Sequence, residues 1–505
     1  MAYLTILTCL AGCTGSITGG GGPGGAVGDD DDQPPPGSAD AGVPPVEGQP
    51  DAAPPPVANT LAAGIRIQDV AIYQTVGVPL AHGGSAVSTR NAPVVEGRDS
   101  MFAIAFAVEA GFVARPIEAR VTVDGVPYAA QQTISASSGD VPTAQLRLKV
   151  PGAAIKAASV FEVALHEVAG APTQPGSTEG ARYPATGSAP LGAVSVNGPL
   201  HLVLVPFRYN ADGSGRLPPL DDASIAAHRS AFKAMYPVAD VEVSVHAPVD
   251  TSITIQSSSS WGQWLDELAG VRQADAPAAN VYYYGLAAPA TSFGGFCNGG
   301  CIVGLGNVPS ANNPFLFASV GVSFPGNLLS DTALHEVGHT MGRQHVDCGG
   351  PAGIDPNFPY PGGSIGVWGY DAVKDKLKDP SVFTDIMGYC NSQWMSDYET
   401  KAIFERIANV NDGATPLIIG PPQTYRVGLV DAAGNIEWRR FATLALPPDG
   451  GSARVSLRDR SGAELGSASG HYFPYDHMPG GTLYVPVGGM LDTAAVAPAG
   501  FTLAR

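Results

Sequence analysis

The chain has 505 residues, room for about two to four domains. Its formal net charge of −18 leaves too few cations to neutralise a phosphate backbone, so nucleic acid is excluded as a partner. Apolar residues make up 44% and charged residues only 14%, and there are 64 Gly and 45 Pro. That balance suits a loop-rich, β-rich extracellular protein better than a helical bundle.

The first residues, Met1 to Cys13, form an apolar run ending in small side chains, with no Lys or Arg before it. Such a run is too short to span a bilayer and reads as a signal peptide. Leu10-Ala11-Gly12-Cys13 resembles a bacterial lipobox, which implies lipidation of Cys13 and a surface-anchored or secreted protein. Residues 14–63 hold Gly19 to Gly22, Asp29 to Asp32 and Pro34 to Pro36, with almost nothing to bury. They predict an extended tether.

Residues 64–168 read as strands broken by Gly, Pro and Asn, such as 65–73, 101–108 and 119–125, and predict a β-sandwich. His166-Glu167 begins a metal-site pattern, but Gly170 stands where a second ligand is needed, so the pair reads as strand residues. Residues 169–194, rich in Pro, Gly, Ser and Thr, predict a linker. Residues 195–412 then alternate in α/β order. Strands are expected at 201–207, 241–246, 280–284, 301–305 and 316–324, and helices at 221–236 and 261–271. A further helix starts near Ser330. Ser396-Asp-Tyr-Glu399 is a capping-box pattern that predicts a helix to about Val410. Residues 413–505 return to short strands, such as 424–430 and 482–487, and predict a second, immunoglobulin-like β-sandwich. His471 and His477 lie there among turns and are expected to be surface residues without a metal.

The helix near Ser330 carries the chemistry. Thr332-Ala-Leu-His-Glu-Val-Gly-His-Thr-Met-Gly-Arg-Gln344-His345 contains H-E-x-x-H-x-x-G-x-x-H. His335 and His339, four apart on a helix, share one face and can hold one metal ion. Gly342 can take the left-handed backbone that ends the helix, which brings His345 back as a third ligand. Three neutral imidazoles leave a fourth tetrahedral position open, the mark of a catalytic Zn²⁺ rather than a structural one. Glu336, beside the ligands, is placed to act on water there.

Downstream lies Asp385-Ile-Met-Gly-Tyr-Cys390. The long motif followed by this segment resembles the metzincin zinc peptidases, whose zinc site rests on a methionine turn. The resemblance implies that Met387 floors the site and that the Tyr389 phenol contacts the metal or the oxyanion. It also implies a twisted mixed sheet whose antiparallel edge strand, near 301–305, pairs with extended substrate. Among metzincins the layout is most similar to StcE-like bacterial peptidases, some of which cleave mucin-type glycoproteins.

Cys297, Cys301, Cys348 and Cys390 all fall within 195–412. An even number in an exported chain predicts two disulfides, with three pairings open. The favoured set is Cys297–Cys301 and Cys348–Cys390, the second tying the segment after His345 to the methionine turn; a cysteine zinc site is the rival. No Cys lies between 14 and 296, so the cysteine switch of some metzincin propeptides is unavailable.

The expectation is therefore a multidomain α+β protein, a metzincin-like catalytic domain flanked by two β-sandwich domains. It is a monomeric zinc endopeptidase of extracellular proteins or glycoproteins, meeting the membrane only through its lipid. Two alternatives stand beside it: a surface adhesin or glycan-binding lipoprotein with a vestigial peptidase core, and inhibition by residues 64–168.

Overall fold

The computed structural model describes residues 60–298, 300–413, 421–458, 463–487 and 497–503. The lipobox, Cys13 and nearly all of the expected tether lie outside them.

Residues 65–190 form two antiparallel sheets. One runs in the order 85–86, 77–82, 65–73, 100–108, 146–150; the other runs 182–183, 160–167, 115–123, 126–134. The strand Arg115–Val123 shows why they stack: its side chains alternate buried and half-buried, and Ile117, Ala119, Val121 and Val123 point into the shared core. Each such Val or Ile contributes about 1.5–3 kcal/mol when buried. Asp124 and Gly125, at φ 47° and 83°, make the tight turn into the next strand. The stretch expected as a linker is partly built into this unit. Arg182–Tyr183 and Ala189–Pro190 pair with the strand Val160–Glu167. Its polar, Pro-rich composition hid these two-residue pairings.

The central unit is a twisted sheet in the order 241–245, 200–209, 281–287, 318–322, 304–306. The first four strands are parallel; the edge strand Gly304–Gly306 is antiparallel to Ala318–Val322. Both faces are covered. Leu204, Tyr284 and Leu286 face Phe232, Leu334 and Val337 of the helices Asp222–Met235 and Ser330–Thr340. Val205, Phe207 and Val320 face Trp261, Trp264 and Leu268 of the helix Ser258–Asp275. Apolar runs such as Leu202–Phe207 are what a strand buried on both faces requires.

Three expected elements shift. The strand expected at 301–305 is the short Gly304–Gly306, which starts after the Cys297–Cys301 disulfide loop. The strand expected from Leu316 begins at Ala318, because Pro314–Leu316 forms a short 3-10 turn with Pro314 at its start. The capping box is half formed: Ser396 Oγ accepts from Glu399 N at 3.1 Å. The Glu399 carboxylate turns instead to Arg343, and Ser396 N donates to Asp385 Oδ2 at 2.8 Å.

The carboxy-terminal residues form a single six-stranded antiparallel sheet in the order 436–444, 423–430, 481–486, 464–474, 451–458, 497–503. This corrects the expected two-sheet sandwich. Ile436, on a strand at one end of that order, shares an apolar cluster with Val455 near the other, so the sheet curls onto itself and makes its own core. Alternating apolar residues alone do not distinguish one curled sheet from two stacked ones. Among the described residues, no helix is long and apolar enough to cross a membrane.

Candidate metal centre

The helix Ser330–Thr340 lies between the sheet and the methionine turn, with residues 332–340 all buried. It ends where the sequence predicts. Gly342 N donates to His339 O at 2.8 Å, and Gly342 adopts φ 83°. A Cβ at Gly342 would lie 2.3 Å from Arg406 Nη2 and 3.1 Å from the Pro309 carbonyl oxygen, so both backbone sign and space require glycine. The turn brings His345 back. His339 Nε2 is 2.9 Å from His335 Nε2 and 3.2 Å from His345 Nε2.

Each ring is oriented from behind by a carbonyl oxygen. His335 Nδ1 donates to Ile386 O at 2.7 Å, His339 Nδ1 to Arg343 O at 2.7 Å, and His345 Nδ1 to Ala352 O at 2.5 Å. A carbonyl only accepts, so the proton sits on Nδ1 in all three rings and the Nε2 lone pairs face one another. Burial, and then the neighbouring rings, lowers the basicity of His335 and His339 well below the ordinary value; His345 falls to about 3. Three acceptor lone pairs this close repel one another, and a cation joining them removes that repulsion. Metal–nitrogen bonds of about 2.0–2.1 Å at a tetrahedral angle set the nitrogens roughly 3.4 Å apart, close to the separations seen. The residues present therefore fit a zinc ion.

The methionine turn lies beneath. Met387 is fully buried, and its sulfur passes 2.7 Å from where a Gly338 Cβ would be, so the helix packs on it through glycine. Asp385 holds the turn, accepting from Met387 N and Ser396 N, each at 2.8 Å. Val346 N donates to Met387 O and Tyr389 N to Cys348 O. The disulfide Cys348–Cys390 joins the same two segments, and Cys297–Cys301 closes a short loop before the edge strand. Arg343, whose carbonyl orients His339, is clamped by the buried Glu399 (Nη2 to Oε1, 3.0 Å) and approaches Asp355 at 3.5 Å. Sequence reasoning missed this clamp because Glu399 had been given a local capping role.

Glu336 is fully buried beside the ligands. The edge strand passes so close that a Cβ at Gly304 would lie 2.3 Å from Glu336 Oε1. The Tyr389 hydroxyl lies 3.3 Å from His345 Nε2, and burial raises its pKa, so it remains a donor.

Two further groups stand here that the sequence reading placed elsewhere. His477, expected at the surface, hydrogen-bonds through Nε2 with Glu336 Oε1 at 2.8 Å and through Nδ1 with the Tyr389 hydroxyl. Its ring stacks on His335 at 5.1 Å. Ligand atoms of His335, His339, His345 and His477 lie within 4.8 Å of one another. Asp476 Oδ2 lies 3.3 Å from His339 Nε2 and accepts from Gly306 N at 3.0 Å. Burial raises the pKa of both Glu336 and Asp476 well above the ordinary carboxyl range. The contact spans more than a hundred residues of sequence; the adjacency of Asp and His in a turn was its only local sign. His471 stays on the strand Glu464–Pro474, opposite Tyr484, away from the centre. Among the described residues, no hydrogen bond or ion pair runs from residues 64–168 to the three histidines. That unit instead packs on the central unit, as where Arg98 Nη1 reaches Tyr236 O and Val238 O, just after the helix Asp222–Met235, at 2.7 Å.

Residues 314–414 match the family model of Peptidase M66. The matched span contains His335, Glu336, His339, Gly342, His345, Met387 and Tyr389, and leaves Asp476 and His477 outside. No curated protein matches the sequence. The family match and the buried histidine cluster together support a zinc-dependent metallopeptidase.

Proposed function

We propose that the protein is a metzincin-type zinc endopeptidase acting on extracellular proteins, glycoproteins among them. The observation that carries this reading is the convergence of three Nε2 lone pairs beside a buried Glu, each ring fixed from behind by a carbonyl. His335, His339 and His345 would hold the ion. When bound, zinc supplies a Lewis acid that polarises a carbonyl and acidifies water. Glu336 takes a proton from the attacking water and returns it to the leaving amide nitrogen. The Tyr389 hydroxyl donates to the developing oxyanion. The edge strand Gly304–Gly306, antiparallel to its neighbour, offers backbone groups to an extended substrate.

Export and lipid anchoring through Cys13 are part of the proposal. They are supported by the lipobox-like sequence and by the two disulfides, which form in oxidising compartments. The test is cleavage of a panel containing casein and a mucin-type glycoprotein, before and after zinc chelation and with Glu336→Ala. Chelator-sensitive cleavage lost in the variant supports the peptidase. Glycan binding without cleavage, in a protein carrying one zinc, would move the assignment to the adhesin.

A further inference from the structure

The metal centre is closed. The three histidines and Glu336 are each 2% exposed or less, and no polypeptide can reach Glu336 in this arrangement. What covers them is the chain's own loop after the strand Glu464–Pro474. We propose that the loop Tyr475–Met478 is a built-in pseudosubstrate: it occupies the substrate strand and the water position of the peptidase site, and it holds the enzyme latent until the carboxy-terminal sheet is displaced. The inference rests on the peptidase reading.

Four observations carry it. Tyr475 makes an antiparallel bridge with Asn307, next to the edge strand, so the loop enters along the line an extended substrate would take. Asp476 Oδ2 then takes the Gly306 N–H, a donor of the edge strand itself. His477 lies between Glu336 and Tyr389, the base and the oxyanion donor, and hydrogen-bonds to both, so neither is free for water or a carbonyl. Finally, Tyr475 and Met478 flank the Asp-His pair as apolar anchors. Both are buried in the cluster that holds Val303, Leu305 and Phe324 of the catalytic unit, and Tyr475 lies so close to the helix Ser258–Asp275 that a Cβ at Gly262 would be 2.5 Å from its hydroxyl.

The docking that keeps the loop in place is partly polar, and the arginines of its ion pairs are partly open to water, as a separable contact should be. Arg440 Nε and Arg439 Nε reach Asp266 at 3.0 and 3.3 Å, and Gln263 Nε2 reaches Glu437 at 2.8 Å. Apolar contacts join them: Phe315 and Leu316 of the catalytic unit cluster with Tyr425, Val427, Phe473 and Tyr484 of the sheet. The main core of the catalytic unit, between its sheet and the helices Asp222–Met235 and Ser330–Thr340, contains no residue of the carboxy-terminal sheet, so a partner that displaces that sheet lifts the loop without unfolding the unit.

The test uses the full chain with cobalt in place of zinc, titrated with acetohydroxamate, a small chelating probe read by the visible spectrum. Casein cleavage by the zinc form is followed in parallel. Asp476→Ala/His477→Ala removes the loop's polar grip, and Asp266→Ala loosens the sheet from a distance should the double variant fold poorly. Opening the cleft raises hydroxamate affinity and cleavage by about tenfold or more in both variants. Tighter hydroxamate binding with no cleavage by any form would uphold the loop's role and sink the peptidase reading. Unchanged or weaker hydroxamate binding with reduced cleavage, at full metal content, would overturn the inference and make His477 a catalytic residue.

Discussion

Gly342→Ala joins helix termination to metal binding in one perturbation. The position has φ 83°, where an L-residue costs about 1–2 kcal/mol. The new methyl would lie 2.3 Å from Arg406 Nη2, a guanidinium that donates to Pro309 O at 2.9 Å and to Thr340 O at 3.3 Å. Moving it away sacrifices at least one charged hydrogen bond, about 1.5–3 kcal/mol. Against this, alanine stiffens the unfolded chain and returns about 0.4–1 kcal/mol. The net loss is about 2–4 kcal/mol, or a fall in melting temperature of roughly 5–10 °C for a unit of this size. The turn also sets where His345 returns, so zinc affinity should fall by about tenfold or more. Calorimetry of the chelated protein and zinc competition against a chromogenic chelator read the two effects separately. A variant within about 0.5 kcal/mol of wild type, with zinc affinity changed less than twofold, would refute the idea that this turn needs glycine to deliver the third ligand.

Three other expectations follow from the same geometry. Replacing Cys348 and Cys390 with Ser opens a loop of sequence separation 42; the chain-entropy relation puts the loss at about 4 kcal/mol, measurable as a shift in the urea midpoint under oxidising conditions. Arg343→Met leaves the buried Glu399 without its cation and should destabilise by about 3–5 kcal/mol, while Arg343→Met/Glu399→Leu recovers much of that; no recovery would mean the pair is not a coupled buried unit. The third concerns acid. In the metal-free protein His335, His339 and His345 are held neutral by burial, whereas the unfolded chain takes up protons below about pH 6.5. Their folded-state values are depressed, so this contribution is complete above that pH and is lost as pH falls towards about 3, the value for His345. Glu336 and Asp476, whose values are raised, act in the opposite sense, so the test is the difference from a chelated His335→Gln/His339→Gln/His345→Gln form: the variant should lose less of its urea midpoint than the parent between about pH 7 and about pH 5, and equal losses would contradict the neutral-ligand assignment.

What was legible in the sequence was mostly local. The spacing of His335, His339 and His345, with Gly342 between them, contains its own geometry: a helical face, a left-handed stop and a return. The apolar runs of a doubly covered sheet were readable for the same reason, since their signals span only a few residues; the antiparallel edge strand came from the family resemblance, and it lies at Gly304–Gly306 rather than 301–305. The remainder depended on distance in sequence. Glu399 looked like a helix cap because Ser396 stands three residues before it, yet an arginine 56 residues away claimed its carboxylate. His477 looked like a turn residue because nothing near it in the chain points to a metal; Glu336 lies 141 residues earlier. The curled carboxy-terminal sheet was mistaken for a sandwich because alternation reports which side chains face inward, not which strand closes on which.

The most direct test of the account is bound zinc and casein turnover measured together for the Glu336 and Glu336→Ala proteins, each with the native loop and with Asp476→Ala/His477→Ala. One zinc per chain in every form, turnover that rises when the loop is opened by Asp476→Ala/His477→Ala, and a fall of about 10²–10⁴-fold when Glu336→Ala is added to the opened form, is the predicted result. Undiminished turnover in a zinc-loaded Glu336→Ala protein would contradict it.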